Sequence, residues 1–292
     1  GCAIGSRPVN IHLNALKKMG ATIKIKDGYI LASAPEGLKG SNIRLSKISV
    51  GATENTLIAA CYASGKTVIK NCACEPEIKD LSNFLIKIGC DIKWKNKRTI
   101  EVIGVKTFKP AAHKVMFDRI EAGTFIIAAA ITSGNVKIKN IITKIMSTEL
   151  SILRRMGVKI INHKHSLEIK PSHKIKKINI KTGPYPGFPT DLQAQTMVLM
   201  STANGKSTIV ENIFENRFMH VPELNRMGAN IIINANKAKI TGVKYLNGAE
   251  VMATDLRASV SLVLAGLIAR QKTVINRIYH LDRGYEKLEY KL

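Results

Sequence analysis

Cys2 and Arg7 share the segment Gly1-Cys2-Ala3-Ile4-Gly5-Ser6-Arg7-Pro8, where glycines flank a thiol just ahead of a predicted helix. A helix N-terminus and a neighbouring guanidinium both favour the thiolate, and so a reactive cysteine. A small buried cysteine is the alternative. Ser6 is placed to cap that helix and Pro8 suits its first turn, with Val9, Leu13 and Leu16 facing inward. Acidic residues recur where apolar helices begin, at Glu54, Glu121, Asp191 and Asp255. N-capping and attraction to the helix dipole account for Glu54 and Glu121. Asp191 differs, because it follows Phe188-Pro189-Thr190 and Thr190 itself can cap. Its carboxylate is then left to act as a base or to grip a sugar hydroxyl. Arg7, Arg217, Arg257 and Arg283 each stand beside a helix start in a chain where arginine is rarer than lysine. There a guanidinium fork and backbone amides can hold phosphate or carboxylate together, surface ion pairing being the alternative for any one of them.

The elements that must carry these side chains are repeated. Leu, two residues, Met or Ile, Gly and then alternating apolars recur as LKKMGATIKI (16–25), LIKIGCDIKW (85–94), LRRMGVKII (153–161) and LNRMGANIII (224–233). Gly20, Gly89, Gly157 and Gly228 are spaced 69, 68 and 71 residues apart. Between them runs an Ala-rich helical stretch, a small-residue turn and a β-branched strand: LIAACYASGKTVIKN (57–71), FIIAAAITSGNVKIKN (125–140), MVLMSTANGKSTIVEN (197–212) and LVLAGLIARQKTVINR (262–277). Two patterns in phase define a unit of about 70 residues: helix, strand, helix, Gly turn, strand, strand. The glycine caps the second helix because only glycine enters the left-handed region cheaply. The alternation after it, as at Ile23 and Ile25 or Ile231 and Ile233, predicts half-buried strands. The first helix of each unit is apolar nearly all round and therefore buried; the second has a charged face and is exposed. The first unit lacks its opening half and the last breaks off at HLDRGYEKLEYKL, so both ends of the chain read as cut.

Composition bounds the partners. The chain has 292 residues, 45% hydrophobic and 23% charged, which suits a soluble two-domain protein with a real core. The apolar run Phe125–Thr132 is far short of a membrane span, and no secretion signal opens the sequence. The net charge of +24 draws anions, but the lysines are scattered and aromatics make up only 5%, so no nucleic-acid partner is expected. Five cysteines (Cys2, Cys61, Cys72, Cys74, Cys90) without a C-x-x-C pair suggest neither a disulfide framework nor a zinc site. A reducing, cytoplasmic compartment fits best.

The strings GCAIGSRPVNIHL, KISVGATEN, EPEIKDLSNFL, DRIEAGTF, FPTDLQAQ, ENRFMHVPELNRMGA, ATDLRASVSLVLAG and RIYHLDRGYEKLE, in order along the whole chain, resemble the UDP-N-acetylglucosamine 1-carboxyvinyltransferases. The resemblance implies an α/β, two-domain enolpyruvyl transferase fold of repeated βαβαββ units, an inside-out α/β barrel. The first domain, 1–116, would be incomplete and carry the cysteine loop; the second, 117–292, would lack its last strands. It implies transfer of the enolpyruvyl group of phosphoenolpyruvate to the 3′-hydroxyl of UDP-N-acetylglucosamine, the step that opens peptidoglycan precursor synthesis, with no cofactor or metal. Cys2 matches the general acid, which is also the residue alkylated by fosfomycin, and Asp191 the carboxylate that binds and deprotonates the sugar hydroxyl. Arg7, Arg257 and Arg283 match the phosphoenolpyruvate clamp, Asp255 the carboxylate near the reacting carbon, and Arg217 an arginine of the interdomain cleft. Arg7, Pro8, Val9, Asn10 and Ile11, Lys47, Ile48, Ser49 and Val50, and Ile213 match nucleotide-sugar contacts. Asn10 stands where the family usually has Asp, which removes a charge near the nucleotide. The sister enzyme acting on shikimate 3-phosphate shares the fold but lacks the loop cysteine and the FPTDLQAQ and ENRFMHVPEL strings. The family also has an N-terminal stretch that supplies a Lys-Asn pair and an arginine. Two domains of three such units need ~420 residues, so roughly 130 are missing, and the isolated chain is predicted to be inactive, as an inactive fragment or remnant would be.

Overall fold

The structure, a computed structural model, describes residues 9–292; Cys2, Ser6, Arg7 and Pro8 lie outside the described residues. The chain divides into two compact units, the first ending at Met116 and the second running from Phe117 to Leu292. No helix among the described residues is long and apolar enough to cross a membrane.

In the first unit α1 (Asn10–Lys18) leads to the hairpin β1 (Thr22–Lys26) and β2 (Tyr29–Ser33). A full repeat follows: β3 (Asn42–Arg44), α2 (Val50–Tyr62), β4 (Lys66–Lys70), α3 (Pro76–Lys87), β5 (Asp91–Asn96) and β6 (Thr99–Ile103). Its sheet runs β3-β4-β6-β5, with β3 and β4 parallel across α2 and the others antiparallel. Ile43, Ile69 and Ile100 lie side by side in the register and are buried.

The second unit begins with α4 (Arg119–Ile131), β7 (Val136–Lys139), α5 (Ser147–Arg155), β8 (Lys159–Asn162) and β9 (Ser166–Lys170), in a sheet of order β7-β9-β8. Next come β10 (Asn179–Lys181), α6 (Gln193–Ser201), β11 (Lys206–Val210), α7 (Val221–Arg226), β12 (Asn230–Asn234) and β13 (Lys237–Thr241). Their order, β10-β11-β13-β12, and pairing senses match those of the first unit's sheet. The chain continues as β14 (Glu250–Met252), α8 (Leu256–Ile268), β15 (Val274–Asn276), α9 (Tyr279–Asp282) and α10 (Leu288–Lys291), with β14 and β15 parallel.

The repeat therefore carries one strand more than periodicity revealed: β3, β10 and β14 each run into a buried helix and pair in parallel with the strand that leaves it. These strands are only three residues long, too short for an alternation signal. Ahead of α4 there is no strand, and 104–118 is irregular. All nine residues of α6 are buried, and α4, α6 and α8 pack together in one core as expected; α2 is buried on one side only and leaves Ile58 and Tyr62 exposed. All four repeat glycines take positive φ, from +88° to +110°.

Three local expectations fail. Helix α1 begins at Asn10 with Val9 as its N-cap, and its inward residues are Ile11, Ala15 and Met19 rather than Val9, Leu13 and Leu16. The β1–β2 hairpin is not half-buried: Ile25 and Tyr29 are each 73% exposed. Elsewhere such hairpins add to a third strand, β4, β7 or β11, and here, among the described residues, no third strand pairs with the hairpin. Glu54 is no cap either. Ser49 caps α2 by accepting the Ala52 N–H at 3.3 Å, and Glu54 sits a turn further in, where burial and then Glu77 and Glu75 push its pKa up.

Candidate active site

In the second unit Asp191, Arg217 and Arg257 come together although they span 66 residues of sequence. Pro189 sets the start of a 3₁₀ turn, Thr190–Leu192, that runs into α6. Arg217 follows β11 and Arg257 lies in the first turn of α8. Arg217 Nη2 donates to Asp191 Oδ1 at 2.5 Å, and Arg257 Nε stands 3.6 Å from the same oxygen. The Arg217 side chain is only 5% exposed while Asp191 remains 43% exposed, so the carboxylate is held from behind and open in front. Burial works against the charge of Arg257, but Asp191, Tyr285 and Asp118 outweigh it and hold its pKa above the usual value.

A buried polar knot fixes Arg257. Thr124 donates its hydroxyl to the Ile120 carbonyl at 2.9 Å, so it accepts from Tyr285 Oη at 2.9 Å and from Gln195 Nε2 at 3.1 Å. Tyr285 Oη in turn accepts from Arg257 Nη1 at 3.2 Å. Gln195 Nε2 also reaches the Asp191 carbonyl at 3.0 Å, tying this knot to the aspartate turn. Tyr285, Gln195 and Thr124 did not emerge from sequence reading; the signal was polar side chains, Gln195 and Thr124, within helices read as buried.

Asp255 caps α8, its Oδ1 accepting the N–H groups of Arg257 at 2.8 Å and Ala258 at 3.1 Å. This is the capping explanation first assigned to Glu54 and Glu121; Asp118, not Glu121, caps α4. Thr190 does not cap, since its hydroxyl goes to Glu211 Oε2 at 2.9 Å. Arg283 ends α9, two residues before Tyr285. Ile213 donates its N–H to Glu211 Oε1 at 2.8 Å. Buried polar atoms without a protein partner gather along these elements: both amide atoms of Gln193, Gln195 Oε1, Arg217 Nε, His220 Nε2 and Thr254 Oγ1. Such atoms are rare in a settled core and are expected where a ligand completes the bonding. His220 is wholly enclosed, and burial lowers its pKa to about 4, with Arg217 adding to the effect and Asp255 opposing it.

In the first unit the residues matched to nucleotide-sugar contacts lie at two helix starts. Val9, Asn10 and Ile11 open α1, while Lys47, Ile48, Ser49 and Val50 lead into α2. These starts adjoin: His12 Nδ1 is 2.7 Å from Asn55 Nδ2, and a Cβ on Gly51 would lie 3.3 Å from the His12 ring. Paired helix N-termini with Lys47 beside them suit a phosphorylated ligand. Val9, Asn10, Lys47 and Val50 are exposed and Ile48 is half-buried; Ile11 is buried, so only its backbone can meet a ligand.

The fold is shared with the enolpyruvyl transferases. The family model for EPSP synthase (3-phosphoshikimate 1-carboxyvinyltransferase) matches residues 1–292. The enolpyruvyl transferase NikO from Streptomyces tendae aligns over 99% of this chain and 71% of its own, with a TM-score of 0.90 at 24% identity. An EPSP synthase from Acinetobacter baumannii aligns with a TM-score of 0.72 at 21% identity, over 97% of this chain and 69% of its own. Within that class the chain belongs to the UDP-N-acetylglucosamine 1-carboxyvinyltransferase family. Members from Pelagibacter ubique and Caldanaerobacter subterraneus are 63% and 56% identical to it over all 292 residues, which cover 70% of each relative.

Proposed function

We propose that this chain transfers the enolpyruvyl group of phosphoenolpyruvate to the 3′-hydroxyl of UDP-N-acetylglucosamine, releasing phosphate, in the cytoplasmic synthesis of peptidoglycan precursors. The observation that carries the reading is Asp191, presented to solvent with Arg217 and Arg257 behind it. A carboxylate so held can take the proton of an attacking hydroxyl, and fixed guanidinium groups beside it suit a substrate carrying phosphate and carboxylate charges.

In this scheme Cys2 supplies a proton to the methylene carbon of phosphoenolpyruvate, and Asp255 faces the cationic centre left at the adjacent carbon. The sugar oxygen bonds to that centre as Asp191 removes its proton. Return of a proton from the new methyl group to the Cys2 thiolate then restores the double bond as phosphate leaves, carrying the proton that Asp191 took. Arg7, Arg257 and Arg283 hold the phosphoenolpyruvate anion. Val9 to Ile11, Lys47 to Val50 and Ile213 hold the nucleotide sugar. The 53–63% identities are all to transferases named for UDP-N-acetylglucosamine, which favours that acceptor over shikimate 3-phosphate.

The test is phosphate release with phosphoenolpyruvate and each acceptor, using the 292-residue chain, the chain joined to the remaining 30% of the Pelagibacter relative, and the Cys2→Ala form of each. Release with UDP-N-acetylglucosamine alone is expected from the joined chain, lost on Cys2→Ala, with none from the 292-residue chain by itself. Release with shikimate 3-phosphate, or no dependence on Cys2, would reject the assignment. Fosfomycin should add once per chain by intact mass and not at all to Cys2→Ala.

A further inference from the structure

Glu211 is 2% exposed, and the reaction scheme gives it no task. Its Oε1 accepts from Thr182 Oγ1 at 2.8 Å, from Ile213 N–H at 2.8 Å and from Phe214 N–H at 3.3 Å; its Oε2 accepts from Thr190 Oγ1 at 2.9 Å. The Thr182 hydroxyl is aimed by the Asn212 N–H, which it accepts at 2.9 Å. All four partners of Glu211 are hydroxyls or backbone amides, so a buried carboxylate is satisfied entirely by groups on three chain segments.

Two of those segments bear the aspartate–arginine pair. Thr190 directly precedes Asp191, and Ile213 and Phe214 lead into the turn that contains Arg217. The Phe214 ring lies 5.5 Å from the Arg217 guanidinium carbon. The contacts close a circuit: Glu211 to Thr190, Asp191 to Arg217, Arg217 over Phe214, and the Phe214 amide back to Glu211. The repeats show that this turn is special. In the strand register Lys70 and Lys139 fall at Val210, so Asn71 and Asn140 occupy the position of Glu211 in two other copies. Both asparagines take φ of +60°, whereas Glu211 does not. At this copy the carboxylate gathers the following amides into a different turn.

We propose that Glu211 is the positioning residue of the Asp191–Arg217 pair, locking the two turns that carry it and holding the Ile213 amide in place. The inference rests on the proposed role of Asp191. A displacement of about 1 Å at a reacting group can cost 100-fold in rate, so a lock of this kind has a kinetic signature.

Thr190→Val removes one hydroxyl and leaves the other three bonds of Glu211 intact; Thr190→Ser restores the hydroxyl. In the 292-residue chain, side-chain ¹⁵N NMR should show resolved, slowly rotating Arg217 Nη signals. Thr190→Val and Glu211→Gln should merge them, and Thr190→Ser should keep them. Where the chain turns over, Thr190→Val should lower kcat about tenfold at unchanged KM for phosphoenolpyruvate, while Glu211→Gln should also raise KM for the nucleotide sugar. The double variant should be no slower than Glu211→Gln alone. Arg217 signals unchanged in both variants would overturn the proposal, as would kcat within twofold of the parent alongside a lowered melting temperature. A parent chain that binds and turns over neither substrate counts against the role of Asp191, and the NMR comparison still decides whether Glu211 sets the pair.

Discussion

Asp191 is unusual in being anchored and open at once. Replacing it with Asn keeps an oxygen for Arg217 but removes the proton acceptor, so kcat should fall by about 10²- to 10⁴-fold while the melting temperature moves little. Stopped-assay phosphate release and calorimetry on Asp191→Asn check this; a kcat within a factor of three would exclude the base role. His220 makes a prediction about pH. Its folded pKa is about 4 against 6.5 in the open chain, so below 6.5 the unfolded chain takes up a proton that the folded chain refuses. This contribution to stability is therefore whole above pH 6.5 and is lost as pH falls toward 4. It amounts to about 2 kcal/mol between pH 7 and 5. Hydrogen exchange at α8 amides should report that loss in the parent and not in His220→Gln.

Elements here are held by their ends. Ser49 caps α2 through one bond, and Ser49→Ala should cost about 1 kcal/mol without disturbing the sheet; since Ser49 also matches a nucleotide-sugar contact, KM for that substrate should rise too. Two of the glycines carry different burdens. Gly89 takes φ of +110°, and a Cβ added there would have only the Lys109 side chain within 4 Å, so Gly89→Ala should cost about 1–2 kcal/mol, purely from backbone conformation. Gly242 has no such φ, yet a Cβ there would strike the Ala203 carbonyl oxygen. Its own N–H is bonded to Gly205 at 3.0 Å, so the backbone cannot yield without breaking the turn. Gly242→Ala should therefore unfold the β10–β13 sheet at a lower denaturant concentration than Gly89→Ala unfolds its own. The repeat glycines and buried helices were legible from spacing alone. The strands β3, β10 and β14 were not, because three residues cannot display a period.

The whole chain carries a net charge of +24, and both proposed substrates are anions. Long-range attraction of this kind is screened by salt, so kcat/KM for phosphoenolpyruvate should drop about tenfold between about 20 mM and 500 mM salt, and a flat profile would assign recognition to short-range contacts only. Amino-acid order alone carried the repeat, its glycine caps, the nature of its helices and the identities of Asp191, Arg217 and Arg257, because periodicity and motif spacing are one-dimensional properties. It could not carry which oxygen meets which guanidinium, that Asp255 caps while Glu54 does not, or that Tyr285, Thr124, Gln195 and Glu211 lock the site. Those are pairings between residues up to 161 positions apart, and such pairings exist only once the buried helices have packed and each enclosed polar atom has had to find a partner there.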